Sequence, residues 1–189
     1  MFIKSIVLLT ATLVCLVIAL AQEKGGLTQA ERVVLDTPEV ITLELAPVTR
    51  RRAAGIYERN GGPFKGGAKI VFELVGTNTS ILPLIVRGWD TFSQNRPLLF
   101  KDGQKVEYRK GLDDVLKSKE KEPAMEVTHP QITRLEPNQP KSLEQIDLGG
   151  WYEPLAPGHY HFSTRHRFVH AGKWVESSSV TFEVEPNTK

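Results

Sequence analysis

The chain has 189 residues, enough for one domain with a real core plus tails. Its formal net charge is only +2, with 24 Lys and Arg against 22 Asp and Glu, so charge gives no case for nucleic acid. The single cysteine, Cys15, sits in the N-terminal apolar stretch, which leaves the rest without a disulfide, a thiolate zinc site or a cysteine nucleophile.

Lys4 precedes an apolar run from Ile6 to Leu20, and Ala19-Leu20-Ala21 supplies small residues where a signal peptidase needs them. The run is shorter than the ~20 residues that span a bilayer comfortably, so residues 1–21 are read as a cleaved signal peptide. Val14 before Cys15 argues against a lipoprotein signal. The expected location is secreted or periplasmic, with no membrane attachment after cleavage. Residues 22–38 are polar and contain Gly25-Gly26, which predicts a flexible leader.

The sandwich domain is predicted over 39–186. Val40-Ile41-Thr42-Leu43-Glu44-Leu45 reads as a strand. A long loop follows over 50–67, marked by Arg50-Arg51-Arg52, Asn60-Gly61-Gly62-Pro63 and Gly66-Gly67. The next strand places Ile70, Phe72 and Leu74 on one face. Asn78 to Ser80 is a turn, and Leu82 to Trp89 a second strand whose Pro83 suggests an edge. Asp102-Gly103 between two strand-like runs is the strongest hairpin signal in the chain, because a two-residue turn of this hand needs positive φ. A second long loop is predicted over 109–131. It is highly charged, and Leu112, Val115 and Leu116 give it the spacing of a short helix.

The C-terminal third carries the clearest alternation. Ile132 to Leu135 is a short strand, and Ser142 to Leu148 sets Leu143, Gln145 and Asp147 against Glu144, Ile146 and Leu148. Tyr160, Phe162, Thr164, His166 and Phe168 share one face of a long strand, and Val180, Phe182 and Val184 the inner face of the last. Seven or eight strands with a turn signal about every ten residues predict an all-β, antiparallel sandwich.

The passage from Leu135-Glu136-Pro137 through Ser142 to Leu148, Trp151-Tyr152, Leu155 and Pro157-Gly158-His159-Tyr160 resembles immunoglobulin-like sandwich modules of secreted bacterial proteins. With Leu82 to Tyr108 added, the chain is similar to the β-domain that accompanies deuterolysin-type metallopeptidases, and more loosely to small bacterial β-sandwich proteinase inhibitors. The resemblance implies a fold rather than a reaction. The peptidase motif His-Glu-x-x-His is absent, so peptidase activity is not implied.

His159 and His161 share a strand face and are the candidate metal ligands; no carboxylate or cysteine interleaves with them. Ser177-Ser178-Ser179 lacks a glycine elbow, so no catalytic residue is assigned and no cofactor is expected. Trp151-Tyr152, beside Gly149-Gly150, is the best candidate for an exposed aromatic platform that a sugar would stack on. Arg165 and Arg167, on the outer face with His161 and Ser163, form a basic stripe suited to an acidic partner. The sequence thus predicts a non-catalytic module that binds another protein at the cell surface or in the periplasm, in one version alongside a peptidase. A carbohydrate-binding module built on Trp151 and Tyr152, and a metal-binding protein built on His159 and His161, are the alternatives.

Overall fold

The computed structural model describes residues 38–48, 50–51, 57–58, 63–121, 131–168 and 172–187. The predicted signal and leader, and His129 and His170, lie outside the described residues. Among the described residues no helix is long and apolar enough to cross a membrane.

The architecture is all-β and sandwich-like. In chain order the longer strands are β1 (Ile41–Val48), β5 (Val71–Asn78), β6 (Leu84–Gly88), β7 (Asn95–Lys101), β9 (Gln131–Leu135), β10 (Pro140–Asp147), β11 (Gly158–His166) and β13 (Val180–Glu185). Two-residue strands fill the gaps: β2 (Arg50–Arg51), β3 (Tyr57–Glu58), β4 (Phe64–Lys65), β8 (Gln104–Lys105) and β12 (Val175–Glu176). The predicted loop over 50–67 therefore contains short strand pairings. One sheet runs β1-β5-β10, and the larger runs β4-β13-β11-β7-β8 with β12 beside β11. Two further pairs, β2-β3 and β6-β9, stand outside these sheets. Among the described strands every pairing is antiparallel except β13 with β4, and two isolated bridges, Leu43 with Ser177 and Asn78 with Pro137, are also parallel.

Among the described residues two α-helices interrupt the strands: α1 (Thr91–Gln94) and α2 (Leu112–Lys121). The second forms within the predicted loop over 109–131, but of the three residues with helical spacing only Leu112 and Leu116 are buried, while Val115 is exposed. Asp113 and Asp114 stand in the first turn of α2 and Lys119 and Lys121 in its last, matching the helix dipole at both ends.

Strand alternation follows side-chain chemistry. In β1, Ile41, Leu43 and Leu45 are buried while Thr42 and Glu44 are exposed. Ile70, Phe72 and Leu74 are all buried as predicted. The hairpin at Asp102-Gly103 is present, with φ of 48° and 81° at those two residues. The strict alternation expected for 142–148 is broken. A bulge between Ser142 and Glu144 shifts the β10–β5 register, so Leu143 and Ile146 are both buried while Gln145 is exposed.

Side-chain contacts of two kinds are among those that join the sheets. The first is aromatic: Phe72 of β5 lies 4.8 Å from Phe162 of β11 and 5.4 Å from Phe182 of β13, ring centroid to ring centroid. Tyr160 stacks on Phe182 at 5.1 Å. The second is polar. Asn95 of β7 donates through Nδ2 to Glu144 Oε2 of β10 at 2.6 Å, and its Oδ1 meets His166 Nδ1 of β11 at 2.8 Å. Asn95 is fully buried, so these bonds satisfy groups that water cannot reach.

Removing the Phe72 ring leaves a cavity where three aromatic neighbours meet, so Phe72→Ala is expected to cost about 3–5 kcal/mol in urea unfolding. Burial drives the His166 pKa from 6.5 down to about 3. The unfolded chain takes up that proton below pH 6.5 and the folded chain does not. His166 thus contributes stability above 6.5 that is lost as pH falls toward 3. Glu144, raised chiefly by desolvation, acts with the opposite sign, because the folded state holds its proton more tightly. In urea unfolding at about pH 7 and about pH 5, His166→Asn is expected to gain on the native chain as pH falls, by up to about 1.4 kcal/mol per pH unit.

Candidate anion-binding site

The outer face of the larger sheet is set by the β7–β11 register. His161 stands opposite Phe100, Ser163 opposite Leu98, and Arg165 opposite Arg96. Like charges directly opposed on a sheet repel, so the last pair needs a reason to be there. After β11 the chain returns through Trp174 into β12, which pairs Glu176 with Arg165. Trp174 comes to lie among three guanidinium groups. The Cζ atoms of Arg96, Arg165 and Arg167 are 5.0, 5.7 and 4.9 Å from its ring centroid. Each such contact is worth about 0.5–2 kcal/mol.

The cluster is embedded rather than solvated. Arg96 is 5% exposed and Arg167 7% exposed; Arg165 and Trp174 are half-buried. Arg96 binds one carboxylate, donating through Nη2 and Nε to Glu120 Oε1 of α2 at 2.8 and 3.2 Å. Its Nη1 donates to the carbonyls of Phe92 and Asn95. Arg167 Nε donates to the Ser93 carbonyl at 2.7 Å. The buried Nε of Arg165 and Nη2 of Arg167 have no hydrogen-bond partner. Burial lowers the Arg167 pKa, and the charge of Arg96 adds to the effect, partly offset by Glu120. A guanidinium stays charged regardless, so the repulsion persists.

Among the described residues the three arginines thus outnumber the carboxylates beside them, Glu120 by contact and Glu176 by strand register. Well-packed apolar residues would serve a sheet face as well or better for stability. The cluster is a surplus of embedded guanidinium charge on an aromatic base. It presents planar, multidentate donors of the kind that match carboxylates and phosphates.

The predicted residues fare differently. Arg165 and Arg167 do come together, but as members of an embedded cluster and not as a solvated stripe. Trp151 and Tyr152 are corrected: each is only 2% exposed. Trp151 packs on Phe92 at 4.9 Å and Tyr108 at 5.9 Å, and the Tyr152 hydroxyl donates to the Pro97 carbonyl at 3.0 Å. The 3-10 turn at Leu148–Gly150 folds both rings inward, so neither offers a face to a sugar. His159 and His161 are exposed on one face of β11, opposite Glu183 and Thr181 of β13. Among the described residues no group of three or more His, Cys, Asp or Glu side chains is placed to hold a metal ion.

Sequence reasoning missed Arg96, Trp174 and Glu120 as parts of this site. Arg96 lies in a plain strand run, and only pairing with a distant strand makes it a neighbour of Arg165. No protein-family model matches the chain, and no curated protein matches it.

Arg165 is held by stacking and carries an unbonded Nε, so Arg165→Met keeps the packed stem and removes a repelling charge. Its unfolding free energy is expected to stay within about 1 kcal/mol of the native chain in urea titrations. A loss well beyond that would make the arginine a structural residue.

Proposed function

We propose that this chain is a non-catalytic binding module that engages another protein, docking a carboxylate-bearing surface on the cluster of Arg96, Arg165 and Arg167. The observation that carries the reading is the surplus of embedded guanidinium charge around Trp174. Recognition sites recur where Arg and Trp stand together in a partly desolvated setting, because each bond is then strong and the aromatic base excludes water.

The finer readings of the sequence belong to the same proposal. The sandwich is of the immunoglobulin-like kind, the first 21 residues are a cleaved signal, and the module works in the periplasm or outside the cell, in one version beside a peptidase. The apolar run before Ala19-Leu20-Ala21 supports the secretory part. The strand count and the Asp102-Gly103 hairpin support the fold. The carbohydrate alternative loses its basis with the burial of Trp151 and Tyr152.

A hexaglutamate peptide tests the reading. It is expected to quench tryptophan emission on binding the full chain, with affinity falling about tenfold between about 50 and 300 mM salt. Arg165→Gln is expected to weaken it by about tenfold, or 1.4 kcal/mol. An affinity indifferent to both salt and Arg165 overturns the anion site, and turnover of any substrate in a broad screen overturns the non-catalytic reading.

A further inference from the structure

On the opposite face of β11 from the arginine cluster, where β6 and β9 splay from β10, lies a cavity of about 230 Å3. Its apolar wall includes Val86, Leu143, Trp89 and Phe168, and its polar wall includes Glu144 and His166. The hydrogen bonds behind that polar wall determine what it presents. Asn95 Nδ2 faces three acceptors: Glu144 Oε2 at 2.6 Å, the Thr91 carbonyl at 3.2 Å and Thr91 Oγ1 at 3.3 Å. The amide orientation is thereby fixed, and Asn95 Oδ1 must accept from His166. His166 therefore carries its proton on Nδ1. Kept neutral by burial, the ring has a bare lone pair on Nε2.

Glu144 is half-buried in the same polar network, and the charged group that acts on it is Asp90, of like sign. Of the other charged residues lining the cavity, Asp90 is bridged by Lys119 at 3.3 Å, and Arg87 is exposed. The polar wall thus offers acceptors at Glu144 and His166, with no cation paired to Glu144 among the described residues, in a space that Arg87 and the unpartnered Nε1–H of Trp89 also line. Burying a carboxylate unpaired is costly, and a ligand that brings both positive charge and N–H donors removes that cost.

We propose that this cavity binds a small protonated primary amine, its ammonium group held between the Glu144 carboxylate and His166 Nε2 and its alkyl part against Val86, Leu143 and Trp89. An ammonium has three donors and no acceptor, the complement of the Glu144 carboxylate and His166 Nε2. The indole of Trp89 adds an aromatic face for the cation. Binding favours ionised Glu144, so affinity declines as pH falls through that group's raised titration range.

Butylammonium is the probe, with 1-butanol as the uncharged molecule of similar shape. The chain has three tryptophans, and Trp89→Phe identifies the Trp89 indole N–H signal in proton–nitrogen correlation spectra. In the full chain, butylammonium is expected to shift that signal saturably, with a midpoint at about millimolar concentration. 1-Butanol, and butylammonium with Glu144→Gln, are each expected to bind at least about tenfold more weakly. An equal response to 1-butanol, a response unchanged by Glu144→Gln, or no saturable shift overturns the proposal. If Glu144→Gln fails to fold, the comparison of amine with alcohol on the unsubstituted chain decides alone. Neither outcome bears on hexaglutamate binding, which uses the other face of the sheet.

Discussion

Both candidate sites depend on one constraint, the register of β7 against β11. Seven residue pairs fix it, from Tyr160 opposite Lys101 to His166 opposite Asn95. At the last two pairs the same register does two things. It sets Arg165 beside Arg96 on the outer face, and His166 beside Asn95 on the inner one. A slip of one residue would exchange the faces, driving guanidinium groups into the core and exposing Phe162 and Thr164. The apolar pairing of Phe162 with Leu99, both fully buried, opposes such a slip. The hydrophobic middle of the strand pair thus holds the charged end in place.

At that end α1 lies between the two faces. The Ser93 carbonyl accepts from Arg167 on one side, and the Thr91 carbonyl accepts from Asn95 on the other. Gln94, 2% exposed, ties them together: its Oε1 accepts from the Trp89 backbone N–H, and its Nε2 donates to the carbonyls of Arg87 and Arg167. Asp90 caps the helix by accepting from the Phe92 N–H. A helix of four residues gains little from its own ladder. Its conformation is set by these side-chain bonds, and so is the placement of Trp89 at the cavity wall.

What the sequence revealed, and what it hid, follows from the range of the interaction involved. The Asp102-Gly103 hairpin was legible because a tight turn is a local demand on φ. The inward row Tyr160, Phe162, Thr164 and His166 was legible because alternation survives any partner. Trp151 and Tyr152 were misread. Their glycine neighbours suggested an open loop, whereas the 3-10 turn packs both rings beside Tyr108. The bulge at Ser142 to Glu144 leaves no signal in composition, and it moves Glu144 toward the interior. Arg165 and Arg167 could be picked out by face, but their burial could not. That depends on Trp174 returning over them and on Glu120, in the charged run over 109–131 that read as a loop with the spacing of a short helix.

The distribution of polar and apolar contacts separates stability from recognition. The aromatic cluster of Phe64, Phe72, Phe162 and Phe182 spans the sheets and contains no group that a ligand would address. The buried polar groups Ser93, Gln94, Asn95, Arg96, His166 and Arg167 are contributed by two short chain segments that the β7–β11 pairing brings together. Such groups add little net stability even when satisfied, since folding exchanges their bonds with water for bonds with one another. Concentrating them at one end of a sheet whose middle is already well packed is costly for a purely structural element. The cost is intelligible if the arrangement holds charged groups in fixed positions before a ligand arrives, so that binding need not order them.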